Sequence, residues 1–343
     1  VSSELHYNDK NLIEKVIRAL SLLEMLVKAG CPLVFKGGTA LMLILGKSAH
    51  RLSIDIDLIC PPGTNIEDYL KSFADFGFIN LELVERKQRD DADIPKSHSK
   101  FFYQIAYRND TDAQSYILLD VLYEDIHYFR TQQIAINCPF IRLEGKPLMV
   151  TVPSAEDILG DKLTAFAPNT TGIPYYRNGR SCSMEIAKQL YDVGRLFENV
   201  SDLQITKEAF RKIAVVELSY RSFGTDIGQV FNDIRQTALC ISTRGKAGEG
   251  DFDLIQDGII RVKSFMYKQR YLIDHAIIDA ARAAYLATLI EKGINEIESY
   301  SNNPADIKDM VIRPSLPNKL NKLRSNLPEA YYYWAKTSEL LEA

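Results

Sequence analysis

At Pro153 the chain changes texture, and this change limits the available folds more than any other feature of the sequence. Beyond it, apolar residues recur at three- and four-residue steps, so that residues 155–165, 184–197, 207–219, 228–239, 253–271, 274–292 and 328–341 read as helices. Before it, short apolar runs are broken by Gly and Pro. Residues 11–27 carry a helical period through Leu12, Val16, Leu20, Leu23 and Leu26, and Gly30 stops it. Residues 32–35 read as a buried strand, broken by Gly37 and Gly38, after which Thr39 is placed to cap a brief helix through Leu45. A helix over 65–77 and strands over 80–86, 101–107, 116–123, 133–136 and 148–152 complete a mixed sheet. The economical architecture is α+β: an α/β region over residues 1–152, then an α-helical region over 153–343.

Residues 52–58 alternate strictly, with Ser53, Asp55 and Asp57 on one side and Leu52, Ile54, Ile56 and Leu58 on the other. Read alone, an Asp-x-Asp strand is equally a solvated face. Its two carboxylates lie roughly 6–7 Å apart along the backbone and repel, and a divalent cation between them is the simplest compensation. Hard oxygen ligands favour Mg²⁺ or Mn²⁺ over zinc. Asp120 sits in an otherwise apolar strand, where a charge needs either an arginine or a metal as partner. If that strand neighbours residues 52–58, three carboxylates converge and can hold two metal ions about 4 Å apart. Glycines at Gly37 and Gly38 let backbone N–H groups approach phosphate oxygens at the positive end of the following helix. Arg51 is either a phosphate contact or one half of a salt bridge, and Ser53 either touches the nucleotide or fills space.

The run Lys36, Gly37, Gly38, Thr39, Ala40, Leu41, followed by Arg51, Ser53, Asp55, Asp57 and Leu58, resembles the AbiEii toxins of type IV toxin–antitoxin and abortive-infection systems, relatives of the MenT toxins. The resemblance continues through the Asp120 strand, a Pro153, Ile158, Leu159, Lys162, Leu163 helix and a Leu190, Tyr191, Asp192 helix, and spans roughly residues 8 to 200. It implies a DNA-polymerase-beta-like nucleotidyltransferase domain completed by a helical one. It implies a Mg²⁺-dependent transfer of a nucleoside monophosphate from an NTP to an acceptor hydroxyl, in some members the 3′ end of tRNA, under control of a cognate antitoxin. Lys162 would contact the nucleotide phosphates, and Asp192 would be a further active-site carboxylate or orient Lys162. Lys36, Gly37, Gly38, Thr39, Arg51 and Ser53 would line the nucleotide. Where the family often carries an acidic residue, this chain has Gln189. Residues 169–180 form a long connection between the motif helices, able to fold over bound nucleotide.

Composition removes several other classes. With 343 residues, 46% of them hydrophobic and 25% charged, the chain is a well-cored protein. No apolar run is long enough for a membrane span and no secretion signal opens the sequence, so a cytoplasmic protein is expected. Its five cysteines are scattered singly, which points to buried thiols. A net charge of −4 argues against an enveloping hold on nucleic acid. Basic clusters at Arg261, Lys263, Lys268 and Arg270, and at Arg313, Lys319, Lys322 and Arg324, are either solvated helix faces or surfaces for an RNA end. His6, His50, His98, His127 and His275 lack the spacing of a zinc hydrolase, and neither a Gly-x-Ser-x-Gly elbow nor a P-loop is present. Two rivals stand beside a toxin acting on RNA: a transferase modifying a protein or an aminoglycoside-like small molecule, and a non-catalytic nucleotide-binding module.

Overall fold

A computed structural model describes residues 9–83, 95–106, 113–139, 141, 143–200, 202–221, 224, 226–267 and 269–343. The ends of the expected strands 80–86 and 101–107 fall outside these residues, as do His6 and Lys268. The chain divides into one unit of Val1–Ser154 with Phe265–Arg270, and a second of Ala155–Ser264 with Tyr271–Ala343.

The first unit opens with helix α1 (Lys10–Lys28), whose Leu12 N–H donates to the capping Asp9 carboxylate at 3.1 Å. Strand β1 (Val34–Lys36) runs straight into helix α2 (Gly37–Leu45). Strands β2 (Ile56–Cys60), β3 (Asn80–Leu83), β4 (Lys96–Gln104) and β5 (Gln114–Tyr123) join β1 in a mixed sheet of order β1-β2-β5-β4-β3. Among the described residues of this sheet, β2 and β5 pair parallel and the other neighbours antiparallel. Ile56 faces Leu119 and Leu58 faces Val121 across that pair, and all four side chains are buried. Each such burial stabilises by roughly 1.5–3 kcal/mol. A one-residue slip would exchange these faces and drive Asp120 into the core, so the apolar alternation itself holds Asp57 opposite Asp120.

The sequence and the structure differ in three places here. The strand expected over 52–58 begins only at Ile56, because the preceding residues pair elsewhere: Leu52 N–H donates to Phe265 O at 2.8 Å, Tyr267 N–H to His50 O at 3.1 Å, and Arg51 bridges to Met266. Residues 65–77 form two short 3₁₀ turns, Ile66–Tyr69 and Phe73–Phe76, burying only Ile66, Leu70 and Phe78 around them. Strands β6 (Thr131–Ala135) and β7 (Met149–Pro153) pair with each other in a separate two-stranded sheet instead of extending the mixed one.

The second unit holds helices α3 (Ala155–Ala165), α4 (Ser183–Phe197), α5 (Leu203–Tyr220), α6 (Ile227–Ser242), α7 (Phe252–Val262), α8 (Ile273–Lys292), α9 (Leu323–Asn326) and α10 (Pro328–Glu342), with a small hairpin of β8 (Tyr176–Arg177) and β9 (Arg180–Ser181) between α3 and α4. Helix α8 is buried on nearly all sides from Ala276 to Ile290, with small residues at Ala276, Ala280, Ala283, Ala284 and Ala287, so α4, α6 and α10 all pack on it. Tyr331, Tyr332, Tyr333 and Trp334 are buried on α10, and Trp334 Nε1–H donates to Ser242 Oγ at 2.9 Å. The single helix expected over 253–271 stops at Val262, since the chain then returns to pair with residues 50–52 of the first unit.

Candidate active site

The carboxylates and the glycine turn meet in the first unit. The register of four adjacent strands sets Lys36, Asp57, Asp120 and His98 side by side in one row. Cross-strand neighbours in a sheet stand about 4.7–4.9 Å apart and point to the same face. Asp57 and Asp120 are half-buried on that face. Asp55 lies just ahead of β2, and its carbonyl accepts a hydrogen bond from Thr39 Oγ1 at 2.7 Å. Thr39 therefore ties the turn to the acidic segment. Lys36, not Thr39, occupies the N-cap of α2, without a side-chain cap bond.

Two glycines make this closeness possible. Gly37 has φ +78°, a conformation that side-chain-bearing residues rarely adopt, and a Cβ there would stand 2.1 Å from Asp57 Oδ2. A Cβ on Gly38 would stand 2.8 Å from both Arg51 Nη2 and Ser53 Oγ. The structure thus brings Lys36, Gly37, Gly38, Thr39, Arg51, Ser53, Asp55, Asp57 and Asp120 to one end of the sheet and the start of α2. Arg51 is buried and its Nη1 donates to Leu52 O at 3.1 Å.

His98 is the member of the row that spacing did not single out. Its Nδ1 lies 2.5 Å from Asp120 Oδ1, and its side chain is 7% exposed against 33% for Asp120. Twenty-two residues separate the two, and only the antiparallel register of β4 and β5 joins them.

The donors fit a hard divalent cation. Two carboxylates project from adjacent parallel strands, and Gly37 leaves Asp57 Oδ2 uncovered by any Cβ. Among the described residues, no group of three or more His, Cys, Asp or Glu side chains stands in metal-ligating geometry. Mg²⁺ characteristically takes one or two carboxylates and completes its shell with water and substrate phosphates, so the Asp57–Asp120 pair suits it.

Lys162 and Asp192 lie in the second unit, where α3 and α4 pack together. Lys162 Nζ is 3.1 Å from Asp192 Oδ2 and donates to Gln189 Oε1 at 2.9 Å. Both charges are buried. The neutral amide of Gln189 occupies a position where a second carboxylate would compete for the lysine. Asp233 on α6 accepts from Asn169 N–H, Asn169 Nδ2 and Thr170 Oγ1 of the connection ahead of α4. Burial raises its pKa, and those hydrogen bonds oppose the rise. Of the basic clusters, Arg313 pairs with Glu342, Arg324 donates to the carbonyls of Ile307 and Lys308, and Lys319 to that of Lys246.

A mixed sheet carrying paired carboxylates beside a glycine turn, with a helical unit following it in the chain, defines an α+β protein of the kind that handles phosphates. Residues 20–307 match the family described as nucleotidyl transferase AbiEii toxin of type IV toxin–antitoxin systems, and the chain belongs to that family. Among solved structures it is similar to MenT4, a nucleotidyltransferase toxin from Mycobacterium tuberculosis H37Rv, at 15% identity over 82% of each chain, with a TM-score of 0.44. It is also similar to JHP933 from Helicobacter pylori, at 16% identity over 83% of this chain and 91% of that one, with a TM-score of 0.41. No curated protein matches it. No helix among the described residues is long and apolar enough to cross a membrane.

Proposed function

We propose that this nucleotidyltransferase moves a nucleoside monophosphate from an NTP to an acceptor hydroxyl, with the 3′ end of tRNA as acceptor and a cognate antitoxin as its regulator in the cytoplasm. The observation that carries this reading is the register that sets Asp57 beside Asp120 directly against the Gly37–Gly38 turn. Asp57 and Asp120, with Asp55 beside them, would hold Mg²⁺ or Mn²⁺, which when bound offsets the charge of the triphosphate. The backbone N–H groups at the start of α2 face phosphate oxygens, aided by the helix dipole. Arg51 and Ser53, close against Gly38, hold the sides of that cradle. Asp120 Oδ2, the oxygen that His98 does not engage, takes the proton of the acceptor hydroxyl as its oxygen attacks the α-phosphorus and pyrophosphate leaves. Lys162 and Asp192 are proposed, from the family resemblance, to serve the nucleotide phosphates and the orientation of that lysine.

Incubation of the purified protein with each α-labelled NTP, Mg²⁺ and total tRNA tests the reading. Label on tRNA, absent without Mg²⁺ and absent with Asp57→Ala, is expected. Label on protein or on an aminoglycoside alone overturns the tRNA acceptor. NTP binding with no transfer to any acceptor makes the chain a binding module.

A further inference from the structure

We propose that His98 is a positioning residue for Asp120, fixing which carboxylate oxygen the site presents; this rests on the reading of Asp120 as an active-site carboxylate. His98 lies on β4 directly across from Asp120, with Nδ1 at 2.5 Å from Oδ1. Its ring is buried, and among the described residues Nε2 has no hydrogen-bond partner. An imidazole buried with a single polar contact is expensive for the fold, and the apolar alternation of β4 is already supplied by Phe101 and Tyr103. What the ring does supply is one short bond to a carboxylate.

An aspartate on a sheet face turns about χ2 over a broad well, and its two oxygens exchange places freely. A hydrogen bond from a ring that is itself walled in removes that freedom. Oδ1 is then committed to His98, and Oδ2 is left for the neighbouring Asp57 side of the row. The ring's own burial, at 7% exposure, holds it in place, while the flanking Ser97 and Ser99 turn to the opposite face of the sheet. Partners that orient the ligating carboxylates of metal sites change affinity or activity by about 10–100-fold when removed.

Two variants separate a positioning role from mere filling of space. His98→Leu keeps the volume and loses the bond. His98→Asn loses volume but places an amide N–H the same number of bonds from the backbone as Nδ1. With Asp120 oriented by His98, His98→Leu lowers kcat about 10–100-fold while KM for the NTP stays within about 3-fold, and it weakens Mn²⁺ binding, followed by electron paramagnetic resonance without turnover, about 10-fold. His98→Asn recovers most of both. Asparagine no better than leucine, or leucine equal to the wild type in kcat and Mn²⁺ affinity, overturns the proposal. Asp120→Asn run alongside distinguishes the two levels: if it abolishes transfer while His98→Leu is fully active, only the role of His98 falls, whereas a fully active Asp120→Asn overturns the carboxylate assignment and the positioning role with it.

Discussion

The two units use aspartate in opposite ways. In the first, Asp57 and Asp120 stand half-buried on a sheet face, and the Asp120 side chain is 33% exposed. In the second, Asp192 and Asp279 are sealed among helices at 3% and 2% exposure, each against a cation. Asp279 accepts from Tyr271 Oη at 3.0 Å and lies 3.5 Å from Arg282 Nη1, which also reaches Glu198. Burial opposes the Arg282 charge, but Asp279, Glu329 and Glu198 together more than offset it and raise its pKa. A carboxylate that solvent can reach retains capacity for a ligand. One closed against an internal cation holds helices in place and destabilises the fold if its partner is lost.

This contrast predicts that substitutions in the first unit remove activity and leave the fold, while those in the second weaken the fold whatever they also do to transfer. The largest effect is expected for Asp57→Asn, which should lower nucleotidyl transfer on the order of 10³-fold, with a melting temperature equal to or above the wild type because a repulsion is relieved. A cooperative loss of structure in that variant would break the contrast. Lys162→Ala takes the lysine away from the buried Asp192 charge and should cost about 3–5 kcal/mol in urea unfolding. The double variant Lys162→Met with Asp192→Leu, which removes both charges, should recover a large part of that loss.

The smallest effect is a pH slope from the second unit. Burial pushes the Asp279 carboxyl up to about 6, with Arg282 and Arg195 opposing the rise. The native state therefore binds this proton more tightly than the unfolded chain, whose carboxyl titrates near 3.8. Stability from this group is greatest at low pH and is lost as pH climbs from about 4 to 6, by up to about 3 kcal/mol. Urea unfolding across that window should lose this component in Asp279→Asn. An unchanged slope would show that Asp279 is not the titrating group.

The alternation of Ile56, Leu58, Leu119 and Val121 made the strands legible, and with them the face that carries Asp57 and Asp120. The helical texture after Pro153 was equally plain, because three- and four-residue apolar steps are a local signal. What sequence reading missed depends on distant pairing. Residues 50–52 leave the β2 strand for Phe265–Tyr267, and no local pattern at either end announces that exchange. His98 was passed over for the same reason, since its meaning comes from β4 lying beside β5. The helix expected at 65–77 failed differently: its few apolar positions pack as two separate turns, closed by Gly77 at φ +79°.

The pairing of Arg51 with Met266 reaches beyond architecture into biosynthesis. More than two hundred residues separate the two strands, and closing a flexible loop of that length carries an entropic penalty of about 5 kcal/mol. Helices that form in the intervening chain during translation shorten the span left to close. On a ribosome, the backbone just ahead of Asp55 waits for its partner until the chain has been made as far as Met266. Such an order delays pairing of the segment just ahead of Asp55 until Phe265–Tyr267 has been made, more than two hundred residues after the segment itself.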